Sequence, residues 1–344
     1  MSNTLKVLVV DDSAFMRLLV SNLLSEDSSI EVIGTATNGL EAKEKAMELN
    51  PDVVVLDLNM EKYDGLYAVK SIMKDRPTPI LILSAVGNTD LHPVFEALKN
   101  GAVDYMNKPN RNKSKIHEIQ SELIQKVKST ARAKPKKITD QRLEKKLKAA
   151  SFRKKSKYDI IAIGASTGGP TALEKILTTL PHNFNIPVII CQHMSQMFIP
   201  PFVKRLNSLT KLNVVAATQD MEPTPGTIMF CPGHSNLILN RENGIAKVNF
   251  TNQVFKEYNN PSINALMKST AKVYADKSVG VILTGMGKDG VEGMKSLKAR
   301  GALTIAQNRA SSVIYGMPKA AVESGVIDLE LDIKEIGNYL VKNL

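Results

Sequence analysis

Five residues in the first third of the chain could together handle a phosphoryl group. Asp11 and Asp12 close the apolar run LKVLVV, Asp57 closes DVVVLD, Ser84 closes PILILS and Lys108 follows VDYMN. Three carboxylates at strand ends repel one another unless a cation joins them. Hard oxygen donors suit Mg²⁺, which takes phosphate oxygens as further ligands. A carboxylate can accept a phosphoryl group covalently, a lysine ammonium can pair with its oxygens, and a serine hydroxyl can bond another. Any one of these acids could instead form a turn or cap a helix, as Asp12-Ser13 could. The whole set at successive strand ends is harder to read that way.

A second set could do acyl transfer. Gly164-Ala165-Ser166-Thr167-Gly168 follows an apolar run and precedes a helical pattern, the context of a G-x-S-x-G elbow. Its glycines allow a tight turn, and the helix N-terminus puts positive potential near a developing oxyanion. Alone, such a turn also reads as a phosphate cradle or a plain loop. A nucleophilic serine needs a base, and the base needs an orienting carboxylate. IPVIICQHM carries His193 at its end, and SVGVILTGMG leads into Lys288-Asp289. His92 and His117 lie in the first half, His182 sits beside Pro181, and His234 in CPGHSN is the rival base. Asp159 and Asp220 compete with Asp289, although Asp159 stands at the wrong end of its strand. The order Ser, His, Asp differs from the Ser, Asp, His of α/β-hydrolases, so this would be the same chemistry on another topology.

Both sets require strands that end side by side. From Leu5 the chain runs through five rounds of strand then helix. They are LKVLVV with a helix spaced on Phe15, Leu18, Leu19 and Leu23, EVIGTA with 39–49, DVVVLDL with 65–75, PILILSA with 90–100, and VDYMNKP with 113–128. The strands are almost continuously apolar, so both faces are covered, which predicts a parallel doubly wound sheet. A second α/β pattern starts near Tyr158: DIIAIG, a helix to Leu180, IPVIICQHM, a helix near 198–209, then a β-rich stretch over 212–256. Helix 261–275, strand SVGVILTGMG, helix 290–299, strand ALTIAQN and closing helices complete it. The expected fold class is α/β, with two doubly wound parallel-sheet domains, the second a Rossmann-like three-layer α/β/α hydrolase.

Length and charge narrow the classes. A chain of 344 residues suits two domains. The net charge of +11 is almost wholly local, because residues 130–157 hold twelve Lys or Arg and two acids. This segment reads as a flexible basic linker over 129–156, between domains at 4–128 and 157–344. Leu143 and Leu147 could give it transient helicity. A DNA-binding regulator using this segment is the alternative, but it shows no reader motif, and Phe152 is its one aromatic before Tyr158. Cys191 and Cys231, without CxxC spacing, read as small buried hydrophobes. No apolar run is long enough for a membrane helix, and the first residues lack signal-peptide features. The expectation is a cytoplasmic protein with no membrane insertion and no nucleic-acid partner.

Residues 4–128 resemble the response-regulator receiver family, which implies a flavodoxin-like fold. The resemblance makes Asp57 the phospho-acceptor. It makes Asp11, Asp12, Asp57 and the Asn59 carbonyl ligands of Mg²⁺, Ser84 and Tyr105 a switch pair, and Lys108 the phosphoryl contact. Glu61 departs from a proline common after Met60. In the second domain IGASTGGP, CQHMSQMF, CPGHSNL, LTGMGKDGVEGM and IAQNRASSVIYGMP appear in order. These blocks resemble the CheB-type chemotaxis protein-glutamate methylesterase family. That implies nucleophile Ser166, base His193, orienting acid Asp289 and the Met286 N–H as oxyanion donor, with no cofactor in the hydrolase. It also implies glutamate methyl esters of methyl-accepting chemoreceptors as substrates, receptor glutamines as deamidation substrates, and a chemotaxis histidine kinase as phosphodonor. In the family's pattern the receiver covers the hydrolase cleft until phosphorylated. Ser195 and Asn308-Arg309 depart from the family's blocks outside the triad. An adaptor with a dead hydrolase site is a third reading, against which the intact triad stands.

Overall fold

A computed structural model describes residues 4–84, 91–109, 116–135 and 156–344, except for the side chains of 116–118. The contacts divide the chain into two compact units between Lys145 and Lys146. The basic stretch over 136–155 and the expected helix starts at 90 and 113 lie outside the described residues.

The first unit alternates strictly: β1 (Leu5–Val10), α1 (Ala14–Ser25), β2 (Ile30–Ala36), α2 (Gly39–Leu49), β3 (Val53–Asp57), α3 (Gly65–Asp75), β4 (Ile80–Ser84), α4 (His92–Lys99), β5 (Asp104–Asn107) and α5 (Ile116–Thr130). Its sheet has the order β2-β1-β3-β4-β5, with every pairing parallel. Ser13, Asn38 and Asp64 cap α1, α2 and α3 through their side-chain oxygens, as short polar residues do at orphan N–H groups. The helix expected after β1 forms as α1, and its apolar residues divide between two sides. Phe15 and Leu18 are 48% and 61% exposed, while Val20, Leu23 and Leu24 are buried, with Met16 and Leu19 packed beside them. The helix is apolar on two sides, so periodicity alone does not select the side that meets the sheet.

The second unit contains β6 (Ile160–Ala165), α6 (Gly169–Leu177), β7 (Val188–Gln192), α7 (Ile199–Leu209), β8 (Asn213–Ala216), β9 (Thr227–Phe230), β10 (Asn236–Glu242), β11 (Ile245–Thr251), α8 (Ile263–Tyr274), β12 (Ser278–Ile282), α9 (Val291–Ala299), β13 (Leu303–Gln307), α10 (Met317–Glu323), β14 (Leu329–Leu331) and α11 (Ile333–Asn343). Seven parallel strands form the order β14-β13-β12-β6-β7-β9-β8. The β-rich stretch thus splits: β8 and β9 extend the main sheet, while β10 and β11 form a separate antiparallel hairpin. Asn243 and Gly244 turn that hairpin at φ of 49° and 84°, the left-handed pair that a tight two-residue connection requires. Leu237, Leu239 and Val248 of the hairpin share a core with Ile263, Leu266, Met267 and Ala271 of α8. Two boundaries correct the sequence reading. A three-residue edge strand, β14, interrupts the closing helices, too short to leave a pattern. The strand expected over 278–287 ends at Ile282.

In both sheets the strand order reverses beside the first strand, between β1 and β3 and between β6 and β12. Loops leaving such a pair part to opposite faces and open a crevice at the carboxyl ends. Among the described residues no helix is long and apolar enough to cross a membrane.

Candidate active site

The crevice between β6 and β12 gathers a hydroxyl, an imidazole and a carboxylate. Ser166 stands one residue past β6, and its N–H donates to the Thr284 carbonyl at 3.0 Å. Gly168 turns the chain at φ 77°, and a Cβ there would lie 2.6 Å from the Val313 side chain. α6 begins at the next residue, where the Gly169 N–H donates to the Ser166 carbonyl at 2.7 Å and closes the turn. His193 follows β7, held by its N–H on the Ala165 carbonyl at 2.9 Å. Gln192 Nε2 donates to the carbonyls of both Ser166 and His193 at 3.0 Å, tying the two backbones together.

His193 Nδ1 lies 3.2 Å from Ser166 Oγ, and Nε2 lies 2.9 Å from Asp289 Oδ2. An ionised carboxylate only accepts, so Nε2 carries the proton and Nδ1 offers its lone pair to the serine. The imidazole side chain is 5% exposed and the Asp289 side chain 2%. Buried charge must be compensated, and here the N-terminus of α8 does it. Asp289 Oδ2 accepts from the Ile263 N–H at 2.7 Å. Oδ1 accepts from the N–H groups of Asn264 at 3.0 Å and Gly290 at 2.9 Å, and from Ser262 Oγ at 3.3 Å. Ser262 also caps α8 through Ala265 N–H. The helix dipole adds to these bonds.

The rivals lie elsewhere. His182 and His234 are exposed, and His234 is tilted against Phe250 at 6.2 Å. Asp159 and Asp220 are exposed, and Gln219 Nε2 donates to Asp220 Oδ1. His92 and His117 fall in the other unit.

In the first unit Asp11, Asp12 and Asp57 bring one carboxylate oxygen each to within 4.8 Å of one another. Lys108 Nζ lies 2.7 Å from both Asp11 Oδ2 and Asp57 Oδ2. These are close ion pairs rather than aligned bonds, for both oxygens and Asp57 Oδ1 are buried without a well-placed donor. Burial pushes the Asp57 carboxyl above its ordinary value, against the pull of Lys108, and Asp11 adds to the rise. Burial pulls Lys108 down, but its contacts with Asp11 and Asp57 outweigh that and hold it above its ordinary value. Buried carboxylate oxygens short of donors fit a hard divalent cation. Ser84 ends β4 at 5% exposure, and its carbonyl accepts from the Lys108 N–H. Tyr105 is buried on β5, and Asn59 lies exposed two residues past β3.

Residues 161–340 match the family model described as CheB methylesterase, and residues 7–120 match the response regulator receiver domain. The protein-glutamate methylesterase/protein-glutamine glutaminase of Lawsonia intracellularis is 39% identical over 98% of this chain and 99% of its own length. The chain belongs to the CheB methylesterase family. The Archaeoglobus fulgidus protein of the same description is 38% identical over 99% of this chain and 98% of its own. The crystal structure of the Thermotoga maritima CheB methylesterase catalytic domain covers 54% of this chain and 99% of that domain. Its TM-score is 0.53 at 34% identity. The methylesterase match leaves the DNA-binding alternative without support, and the basic stretch falls between the two matched spans.

Within this CheB methylesterase fold the loop after β12 lies against the serine. A Cβ on Gly285 would sit 2.6 Å from Ser166 Cβ, so only glycine permits that approach. The next N–H, of Met286, meets no acceptor among the described residues. Thr284 pins the loop through Oγ1 to the Thr167 carbonyl at 2.9 Å and by its N–H to Gln307 Oε1 at 2.8 Å. Ser195 is exposed, Asn308 Oδ1 accepts from Ser311, and Arg309 stacks on Tyr315 at 5.5 Å. Glu61 is exposed in the cleft lined by Asp12, Asn59 and Asp64. Sequence reasoning missed the Ser262, Ile263 and Asn264 cradle for Asp289, and also Gln192. Ser262, a cap residue opening the expected helix 261–275, was the one available signal.

Proposed function

We propose that this chain hydrolyses glutamate γ-methyl esters on chemoreceptors and deamidates receptor glutamines, with Ser166 as nucleophile, His193 as base and Asp289 as orienting acid. The observation that carries this reading is the chain of two contacts from Ser166 Oγ through the His193 ring to Asp289. Ser166 Oγ attacks the ester carbonyl as Nδ1 takes its proton. The oxyanion faces the Met286 N–H, positioned by Gly285, and the start of α6. The imidazolium, paired with Asp289, returns the proton to the departing methoxide, and methanol leaves. Water, deprotonated by the same nitrogen, then cleaves the glutamyl-serine ester and restores the hydroxyl. An amide substrate follows the same path and releases ammonia. Proton transfer by such a base contributes roughly 10²–10⁴-fold.

The receiver unit supplies control. Asp57 accepts a phosphoryl group from a chemotaxis histidine kinase, with Asp11, Asp12 and the Asn59 carbonyl as ligands for Mg²⁺. When bound, the cation neutralises charge on the transferring phosphoryl. Lys108 pairs with the phosphoryl oxygens, and Ser84 with Tyr105 transmits the change. Phosphorylation shifts the population toward the active form. The domain limits are 4–128 and 157–344, with α5 running two residues into the linker expected at 129–156, and the protein acts in the cytoplasm.

The test is methanol release from methylated receptor membranes, with and without a small phosphodonor and Mg²⁺. Ser166→Ala is expected to remove at least about 10³-fold of the rate. Unchanged release by this variant overturns the assignment.

A further inference from the structure

We infer that Tyr258 is a positioning residue for His193, an aromatic wall that holds the imidazole in plane and stabilises its charged form. This rests on the reading of Ser166, His193 and Asp289 as a triad. The two rings are stacked, with centroids 3.8 Å apart and planes 14° from parallel. Both imidazole nitrogens are already committed, to Ser166 and to Asp289. The remaining freedom is rotation of the ring about its Cβ–Cγ bond, which would break both contacts. A ring lying flat on one face blocks that rotation. The face of a tyrosine is negative, and it attracts a cation that develops against it. Imidazolium develops here in each half-reaction.

The position of Tyr258 is not explained by core burial, since the residue is 38% exposed. Its loop, however, is anchored on both sides. Asn236, 1% exposed, accepts through Oδ1 from the N–H groups of Asn260 at 2.9 Å and Ser262 at 2.7 Å. Its Nδ2 donates to the Gln253 carbonyl and to Asn259 Oδ1. Asn259, next to Tyr258, exchanges two further bonds with the Phe255 backbone. The same segment then enters α8, whose first N–H groups hold Asp289. One anchored loop therefore sets the face of the imidazole and the carboxylate at its edge. Beside it, Glu257 Oε1 and Lys288 Nζ are 3.9 Å apart, linking the residues that precede Tyr258 and Asp289.

The experiment compares the full chain with its Tyr258→Leu, Tyr258→Phe and Ser166→Ala variants. Its readouts are steady-state methanol release and the proton resonances of the His193 ring. Tyr258→Leu is expected to lower kcat roughly 3- to 30-fold with KM unchanged, and to move the His193 ring protons downfield as the ring current is lost. Tyr258→Phe keeps the aromatic face and is expected to restore both the rate and the resonances. A rise in KM at constant kcat makes Tyr258 a substrate contact and overturns the proposal. So does a Tyr258→Leu enzyme with wild-type kcat, or a phenylalanine variant as slow as the leucine one. If Ser166→Ala retains activity, the triad reading itself has failed, which is a separate outcome.

Discussion

At the scale of single residues, the state of Asp289 decides what His193 can do. Its two oxygens meet four protein donors besides the imidazole, an environment suited only to a carboxylate. An asparagine in its place would direct an NH₂ group at backbone N–H donors or at the imidazole. Either arrangement removes the acceptor that keeps the proton on Nε2 and the lone pair on Nδ1. Asp289→Asn is therefore expected to lower kcat on the order of 10³- to 10⁴-fold with little change in KM. Steady-state methanol release checks this, and a wild-type rate would show that Nδ1 is set by something other than Asp289. His193 and Asp289 were legible as candidates because strand ends and turn glycines are local features. Which nitrogen faces which partner was not, since it depends on residues 96 positions apart in the chain.

At the scale of elements, polar side chains fasten loops that apolar packing leaves free. Asn236 on β10 anchors the connection into α8, so Asn236→Ala strands the Asn260 and Ser262 N–H groups. The expected cost is about 2–4 kcal/mol in urea unfolding of the catalytic unit, together with slower methanol release because the Asp289 cradle shifts. In the receiver, Asp27 after α1 meets Lys128 Nζ on α5 at 2.6 Å and also accepts from Ser29. Lys128, then Ser29, pull the Asp27 carboxyl down to about 2. A depressed carboxylate stabilises the fold above its unfolded value, and that contribution is lost as pH falls through the folded one. The Tm deficit of Asp27→Asn should be constant above about pH 5 and vanish toward pH 2. A deficit independent of pH would assign the effect to packing. The packed face of α1 belongs here too. Phe15 and Leu18 have the spacing of a buried stripe, but the sheet of this unit meets the side bearing Val20, Leu23 and Leu24.

At the scale of the whole molecule, two units with separate cores place their chemistry at the same topological feature, the reversal of strand order in a parallel sheet. One unit offers a buried carboxylate beside a lysine, and the other a hydroxyl, an imidazole and a carboxylate in hydrogen-bonding contact. With Asp57→Asn, basal methanol release is expected to persist while stimulation by a small phosphodonor disappears. Parallel assays with and without the donor measure this. Stimulation that survives the substitution would move the phosphorylation site elsewhere.

Amino-acid order by itself determined two doubly wound domains, the strand ends that carry Asp11, Asp57, Ser166 and His193, and the basic stretch between the domains. Apolar runs, cap residues and glycine turns act over a few positions, so they can be read without a structure. Tertiary structure alone decided the orientation of the imidazole, the α8 cradle for Asp289, the tyrosine on the imidazole face and the side of α1 that packs inward. Each of these is a meeting of distant segments, set by strand register and helix docking rather than by neighbours in the chain.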